Sequence, residues 1–285
     1  MDAKTFLKKL DSISDIPTLP TIVIKVNKML EDYDTTIKKL STIIEKDQAM
    51  VTKILKLVNS TFYGFSSKIT NINHAVIILG FNTIRNAIVS VSIVKAFSGE
   101  RRLEGFDIPD FWRHSIAVAV TGRYLSEQSR LNAPNDCFVA GLLHDIGKVI
   151  LSQYFPELFE QVWRSIAEDG LSFYEAEEAL LPVNHAQIGG YLAKRWRFPA
   201  GLIDSITYHH TIRKSLPNLN QLLIVHTADS IVNNYKADSG IPPDFSSVNP
   251  EAKEALSRQL ESVPGWFPEI APEIDSACEF FLDEG

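Results

Sequence analysis

The run Leu142-Leu143-His144-Asp145-Ile146-Gly147-Lys148 places two ionisable side chains, His144 and Asp145, side by side in an otherwise apolar stretch. Burying such groups costs free energy unless they are paired or coordinate a metal ion. Five further residues lie before and after this run at positions suited to metal ligation: His114, His185, His209, His210 and Asp229. The sequence therefore predicts a metal site with seven candidate ligands.

Apolar residues recur with the three-and-four spacing of amphipathic helices along almost the whole chain. The stretch Ile88–Val94 alternates like a strand, but its neighbours are helical and it lacks turn residues, so we assign it to a helix. The predicted helices lie at about 21–33, 52–62, 73–80, 82–97, 108–130, 134–153, 156–169, 173–181, 184–196, 199–210, 219–235, 250–261 and 270–283. The predicted fold class is all-α.

One polar segment, Ser98–Asp107, is the best candidate boundary within the chain. It separates an N-terminal helical subdomain, residues 1–100, from a helical domain with the candidate metal site, residues 101–235. A loop that contains Pro242-Pro243 and a helical tail make up residues 236–285.

Composition excludes several classes of function. The net charge of −7 provides no basic surface for a nucleic-acid backbone, so we expect no nucleic-acid partner. The two cysteines, Cys137 and Cys278, have no spacing typical of a disulfide framework, which favours a reducing cytoplasm. We also expect no membrane partner, since the chain has neither a signal-peptide core at its start nor a run of ~18 apolar residues. The predicted location is cytoplasmic.

The candidate ligands lie on separate predicted helices, as in metal sites built inside helical bundles. Mixed imidazole and carboxylate ligands suit a divalent transition metal such as Fe, Mn, Ni or Zn. Seven ligands are too many for one tetrahedral ion, so the site would hold one or two ions, with Asp145 as the bridge between a pair. Lys148, four residues after His144, would balance charge on a phosphoryl oxygen. Asp145 and Lys148 are therefore the candidate catalytic residues.

Each candidate also has a purely structural interpretation. The alternatives are a metal-free hydrogen bond between His144 and Asp145, a core role for His114, a helix-start role for His185, an exposed helix end for His209 and His210, a cap or an ion pair with Arg85 or Lys194 for Asp229, and a surface lysine at Lys148. His226 is expected to be a satisfied core or interface histidine. One shared metal site would account for candidate ligands on five separate helices, which favours the metal hypothesis.

His144-Asp145-Ile146-Gly147-Lys148 resembles the signature of the HD superfamily of metal-dependent phosphohydrolases. More closely, the chain resembles HDOD proteins, the HD-related output domains of bacterial signalling, over roughly residues 10–235. The matching segments are Ile16–Pro20, Leu57–Ser60, Asn73–Gly80, Asn184–Gly189, Arg195–Pro199 and His209-His210. The resemblance implies a multi-helix HD-like domain with an N-terminal helical subdomain. It also implies a regulatory module that binds a ligand or a partner.

Compared with the HD-GYP cyclic di-GMP phosphodiesterases, the chain keeps a residue at each ligand position but lacks Gly-Tyr-Pro after the double histidine. Thr211–Ser215 follows there instead. A signal-transduction module, with a signalling protein or a nucleotide as its ligand, is therefore the favoured function. The alternatives are a metal-dependent phosphohydrolase acting on a nucleotide or cyclic nucleotide, and a metal-free scaffold. A homodimer is compatible with the aromatic residues of the tail.

Overall fold

We analysed the protein as a computed structural model, which describes residues 2–13, 16, 19–30, 35–59, 68–98, 106–235 and 243–282. These ranges contain seventeen helices and no β-strand, so the all-α prediction is confirmed. In chain order they are α1 (Ala3–Ser12), α2 (Thr21–Leu30), α3 (Ile37–Ile44), α4 (Gln48–Val58), α5 (Ile72–Leu79), α6 (Phe81–Phe97), α7 (Ile108–Ser129), α8 (Pro134–Leu143), α9 (Ile146–Tyr154), α10 (Pro156–Asp169), α11 (Phe173–Leu180), α12 (His185–Arg195), α13 (Ala200–Tyr208), α14 (Leu219–Asn234), α15 (Pro250–Ala255), α16 (Ser257–Glu261) and α17 (Val263–Leu282).

The chain forms two compact units, each assembled from two segments. The first unit combines Met1–Pro17 with Gly99–Val263, and the second combines Thr18–Ser98 with Pro264–Gly285. The division into residues 1–100, 101–235 and 236–285 stays a prediction. The side chain of Phe6 explains the placement of α1, since it is fully buried and stacks on Phe155 at 4.5 Å between ring centroids.

Helix starts in the first unit follow local capping chemistry. The side chain of Asp107 accepts a hydrogen bond from the backbone N–H of Asp110 and so caps α7. Reciprocal capping boxes start α11, through Ser172 and Glu175, and α12, through Asn184 and Gln187. These contacts satisfy backbone donors that the first turn of a helix leaves unpaired. They therefore fix where α11 and α12 begin.

The predicted single helix over 134–153 is wrong, because the structure interrupts it at the His144-Asp145 pair. Helix α8 ends at Leu143 and α9 begins at Ile146. Asp145 has φ −101° and ψ 8°, outside the regular helical region, and its carbonyl accepts a hydrogen bond from Lys148 N–H at 2.8 Å. Two successive helices therefore end and begin at the residues that carry the candidate ligands.

Other helices differ from the prediction at their ends. Helices α1 and α3 were not predicted, the 250–261 helix is divided at Leu256, and α17 continues through Pro268 and Pro272. The predicted ends at 31–33 and 60–62 lie outside the described residues. The helical assignment of Ile88–Val94 is confirmed, because α6 is buried on all sides along this stretch. Because no side of this part of α6 faces solvent, its sequence lacks the amphipathic periodicity of a surface helix.

Helices α9 and α12 approach so closely that only glycine fits between them. A Cβ on Gly147 would lie 2.0 Å from the carbonyl oxygen of His185 and 3.0 Å from the backbone nitrogen of Gly189. Both distances fall well inside van der Waals contact. The missing side chain of Gly147 therefore brings the start of α9 against the start of α12.

Among the described residues, no single helix is long and apolar enough to cross a membrane. Helices α5 and α6 reach that threshold only when taken together, and the chain bends by 118° between them.

Candidate metal centre

The structure brings all seven predicted ligands together in the first unit. Their ligand atoms fall into two groups, and within each group these atoms lie within 4.8 Å of one another. The first group contains Asp145, His185, His209 and His210, and the second contains His114, His144 and Asp229. The residues come from α7, α12, α14, the interruption between α8 and α9, and the end of α13.

Asp145 lies between the two groups and presents one oxygen to each. Its Oδ1 is 3.0 Å from Nε2 of His185 and 3.5 Å from Nε2 of His209. Its Oδ2 is 3.3 Å from Nε2 of His144 and 4.0 Å from Nε2 of His114. This is the position that a bridging carboxylate needs if each group binds one ion.

Asp229 completes the second group. Its Oδ1 is 3.2 Å from Nε2 of His114 and 3.5 Å from Nε2 of His144. The amide of Asn233, one turn later on α14, donates to the same oxygen at 2.8 Å. Asp229 therefore faces the histidines of the cluster.

Three imidazoles use Nδ1 to donate a hydrogen bond away from the cluster. His144 donates to the carbonyl of Gly141 at 2.7 Å, and His209 donates to the carbonyl of Ile206 at 2.9 Å. His185 donates to a carboxylate oxygen of Glu177, which lies on α11 and is fully buried. A neutral imidazole that donates from Nδ1 has its lone pair on Nε2. All three Nε2 atoms face the cluster.

The donor set fits a cation better than it fits hydrogen bonding. Nε2 of His185 and Nε2 of His209 are 3.3 Å apart close to Asp145. When both imidazoles are neutral and donate from Nδ1, their two lone pairs therefore face each other. Nε2 of His144 and Oδ1 of Asp145 are buried and find no hydrogen-bond partner among the described residues. An unsatisfied buried polar atom costs about 1–3 kcal/mol. A positive charge placed among these atoms would satisfy all of them.

The charges and the burial of the cluster shift the pKa values of its members, and the histidines do not all shift in the same direction. Burial disfavours the charged forms of Asp145 and Asp229. The charges of His144 and Lys148 outweigh it at Asp145, and hydrogen bonds from His114 and His144 outweigh it at Asp229, so the pKa of each carboxyl lies well below its usual range. Burial would also lower the pKa of His144, but the carboxylates of Asp145 and Asp229 raise it to about 10. Desolvation dominates at His209 and lowers its pKa to about 4. The carboxylates therefore attract a cation, and a proton on His144 competes with a metal for that place.

Lys148 adjoins the cluster at its less buried side. Its Nζ is 2.5 Å from Oδ2 of Asp145 and 5.1 Å from the ring centroid of Phe173. Its side chain is 20% exposed, and that of His114 is 25% exposed, whereas the side chains of His144 and His185 are fully buried. A small ligand could therefore reach this side of the cluster from solvent.

The double histidine has an inner and an outer member. The side chain of His209 is fully buried, which contradicts an exposed helix end, whereas His210 is only partly buried. The ring of His210 packs against that of Tyr174 at 4.4 Å between centroids, and its Nε2 is 3.0 Å from Nε2 of His185. The two neighbours therefore occupy different depths of one cluster.

His226 fulfils the structural role that we expected of it. Its Nδ1–H donates to the carbonyl of His209 at 2.7 Å, and its Nε2 accepts from the backbone N–H of Asn249 at 3.0 Å. Both ring nitrogens are therefore satisfied. The imidazole links the end of α13 to the residue that caps α15.

Sequence reasoning missed Glu177 and Tyr174, which contact the imidazoles from α11. Glu177 lies beside Glu178 in a helix that also carries Glu175, and such a run is typical of a solvated face. Only the burial of Glu177 distinguishes it from its neighbours. No spacing signal connected it to His185, eight residues later in the chain.

A sequence model of the HDOD domain family matches residues 16–212, more than half of the chain. The chain belongs to the HDOD family. This confirms the resemblance and agrees with the all-helical architecture.

Individual relatives agree with this assignment. The chain is 28% identical over 206 residues to an uncharacterised protein of Treponema pallidum (strain Nichols). The matched region covers 71% of this chain but only 39% of that relative. An HDOD domain protein of unknown function from Geobacter sulfurreducens has a similar structure, with a TM-score of 0.77, 28% identity, and coverage of 99% of this chain and 100% of that one. A protein of Shewanella amazonensis SB2B, provisionally assigned as a phosphohydrolase, gives a TM-score of 0.74 at 22% identity, with coverage of 96% and 97%. At that identity, the last likeness shows the fold alone.

Proposed function

We propose that this chain is a bacterial signal-transduction module whose HD core binds one or two divalent transition metal ions, of Fe, Mn, Ni or Zn type. The arrangement of the histidine lone pairs carries the proposal. Nε2 of His185 and Nε2 of His209 face each other at 3.3 Å beside Oδ1 of Asp145, and none of the three has a proton to donate when the imidazoles are neutral. Imidazole with carboxylate is a ligand set suited to these metals.

Each residue has a distinct role in this proposal. His185, His209 and His210 would hold one ion, His114, His144 and Asp229 the other, and Asp145 would contact both. Ions bound there would supply Lewis acidity and would lower the pKa of water. The hydrogen bonds from Nδ1 of His144 and His209 to backbone carbonyls orient both rings and hold Nε2 ready as a ligand.

A regulatory role would couple this core to a signalling protein or to a nucleotide ligand. The family assignment supports this role, and so does the absence of Gly-Tyr-Pro after His210. We further propose a cytoplasmic location, no nucleic-acid or membrane partner, and a homodimer as one way in which such a module is assembled. Saturable binding without turnover is the expected behaviour.

Phosphoester hydrolysis, with a nucleotide or cyclic nucleotide as substrate, is the second candidate function. The position of Lys148 favours it, because this partly exposed ammonium group contacts Asp145 at the accessible side of the cluster. There it would bind a phosphoryl oxygen and balance the charge that develops in the transition state. Asp145 and Lys148 would then be the catalytic residues.

Elemental analysis of protein purified without a metal-affinity tag tests the metal proposal. We expect one to two equivalents of metal per chain in the wild type and a marked loss in Asp145→Asn. Asp110→Asn is the matched control, since Asp110 is exposed and pairs with Arg113 away from the cluster. Less than a tenth of an equivalent in the wild type, persisting after reconstitution, would overturn the proposal.

A phosphoester panel assayed with Mn²⁺, Fe²⁺, Ni²⁺ and Mg²⁺ separates the two functions. If the chain is an enzyme, hydrolysis should fall by orders of magnitude in both Asp145→Asn and Lys148→Met. Rates at background with every metal, in a protein that binds metal stoichiometrically, would exclude hydrolysis of these esters and leave the regulatory function.

A further inference from the structure

Helix α11 contributes a buried acid to the cluster that is not one of the seven candidate ligands. Glu177 has no exposed surface, and both of its carboxylate oxygens bind His185. Oε1 accepts the backbone N–H of His185 at 2.9 Å, and Oε2 accepts the ring Nδ1–H. A buried carboxylate is costly unless its acceptors are filled, and here one residue fills both.

We infer that Glu177 is a positioning residue that selects the Nε2 lone pair of His185 as a metal ligand. This inference rests on the metal binding proposed above. The backbone N–H can only donate, so it takes one carboxylate oxygen, and the remaining oxygen requires a proton on Nδ1. When Nδ1 carries the proton of a neutral imidazole, Nε2 carries the lone pair, and that atom is 3.0 Å from Oδ1 of Asp145.

The contact also fixes the orientation of the His185 ring. His185 is the first residue of α12, and Glu177 holds both its main chain and its side chain. The rings of Phe173 and Tyr174, on α11 with Glu177, have centroids 5.8 Å and 6.4 Å from that of the His185 imidazole. Carboxylates that orient a ligating histidine in this way contribute about 10–100-fold to metal affinity.

Glu177→Gln separates this role from simple packing because the two side chains have nearly the same shape. Glutamine has one acceptor oxygen, which the backbone N–H of His185 takes, and its amide N–H then faces Nδ1. The imidazole must accept at Nδ1 and carry its proton on Nε2, the atom that should bind metal. Glu178→Gln is the matched control, because Glu178 is exposed and accepts from the side chain of Asn184 at 2.7 Å.

The experiment measures Zn²⁺ affinity by competition with a chromophoric chelator in the full-length chain. We expect Glu177→Gln to bind about 10–100-fold more weakly than the wild type and Glu178→Gln to bind as the wild type does. In a His185→Ala background, Glu177→Gln should have no further effect, because its only route to the metal has been removed. An equal loss in both backgrounds would overturn the inference.

A second measurement needs no variant. Histidine-selective ¹⁵N spectra of the zinc-loaded wild type should show a hydrogen-bonded proton on Nδ1 of His185 and none on Nε2. A proton on Nε2 would overturn the inference even if Glu177→Gln fails to fold. A wild type that binds no zinc would instead refute the metal proposal itself, so the two failures are distinguishable.

Discussion

Replacing Gly147 with alanine tests how the interrupted HD segment positions the candidate site. The new Cβ would lie 2.0 Å from the carbonyl oxygen of His185, where ordinary contact begins near 3.4 Å, a shortfall of about 1.4 Å. Backbone cannot rotate aside as a flexible side chain can, so the starts of α9 and α12 must separate. Overpacking of this kind costs about 1–3 kcal/mol. We expect the same movement to increase the 3.0 Å distance between Oδ1 of Asp145 and Nε2 of His185.

The assay combines urea unfolding of the metal-free protein with a zinc titration. A ligand constellation tolerates displacements of about 0.5 Å, so we expect zinc to bind Gly147→Ala at least about tenfold more weakly. Gly122→Ala is the control, because its Cβ would meet nothing closer than 3.5 Å in the middle of α7. That variant should keep its affinity and gain up to about 1 kcal/mol of stability. Wild-type zinc affinity in Gly147→Ala would refute the argument that this close approach sets the site.

Three further predictions address the metal, the core and a buried thiol. Chelation of bound metal should lower the unfolding temperature by several degrees, because a ligand bound only by the folded state adds about 2.7 kcal/mol to the free energy of unfolding at a hundred times its Kd. An unchanged melting curve would argue for a metal-free scaffold. Phe6→Ala should lower the free energy of unfolding in urea by about 3–5 kcal/mol, because the ring is fully buried against Phe155. The control Lys4→Ala, at an exposed position, should change it by under about 0.5 kcal/mol. A loss in Phe6→Ala as small as that of the control would show that α1 is not part of the core. Burial raises the pKa of the Cys137 thiol to about 12, so at pH 8 a disulfide reagent should modify at most one thiol per folded chain and two after denaturation; rapid reaction of both in the folded protein would contradict the buried placement.

The seven candidate ligands could be predicted because few residue types can serve a transition metal. Their helices could be predicted because apolar residues recur along the chain from α7 to α14, even in α8 and α14, which are buried on most sides. The break at His144-Asp145 was not predicted, since neither residue is a helix breaker and the apolar pattern continues across it. The break adjoins a close approach between Gly147 and His185, residues 38 positions apart in the chain, and no local pattern reveals such a distant contact.

Features that depend on distant packing could not be predicted. Glu177 resembles the neighbouring surface acids in sequence and differs from them only in burial. The tail helix was predicted only from residue 270, whereas α17 begins at Val263 and runs through Pro268, a strong helix-breaking signal. In contrast, Phe6 and Leu10 are four residues apart and both fully buried, and this spacing is a helical signal present in the sequence of α1.

The hydrogen bonds of His226 bear on how this module should be excised for study. The family region ends at residue 212, but His226 and Asp229 lie beyond it on α14. A fragment cut at that boundary would lose one of the seven candidate ligands and would leave the carbonyl of His209 without its donor. The partner of His226 at Asn249 lies farther still. A truncation meant to isolate the candidate metal centre should therefore retain the chain at least through α15.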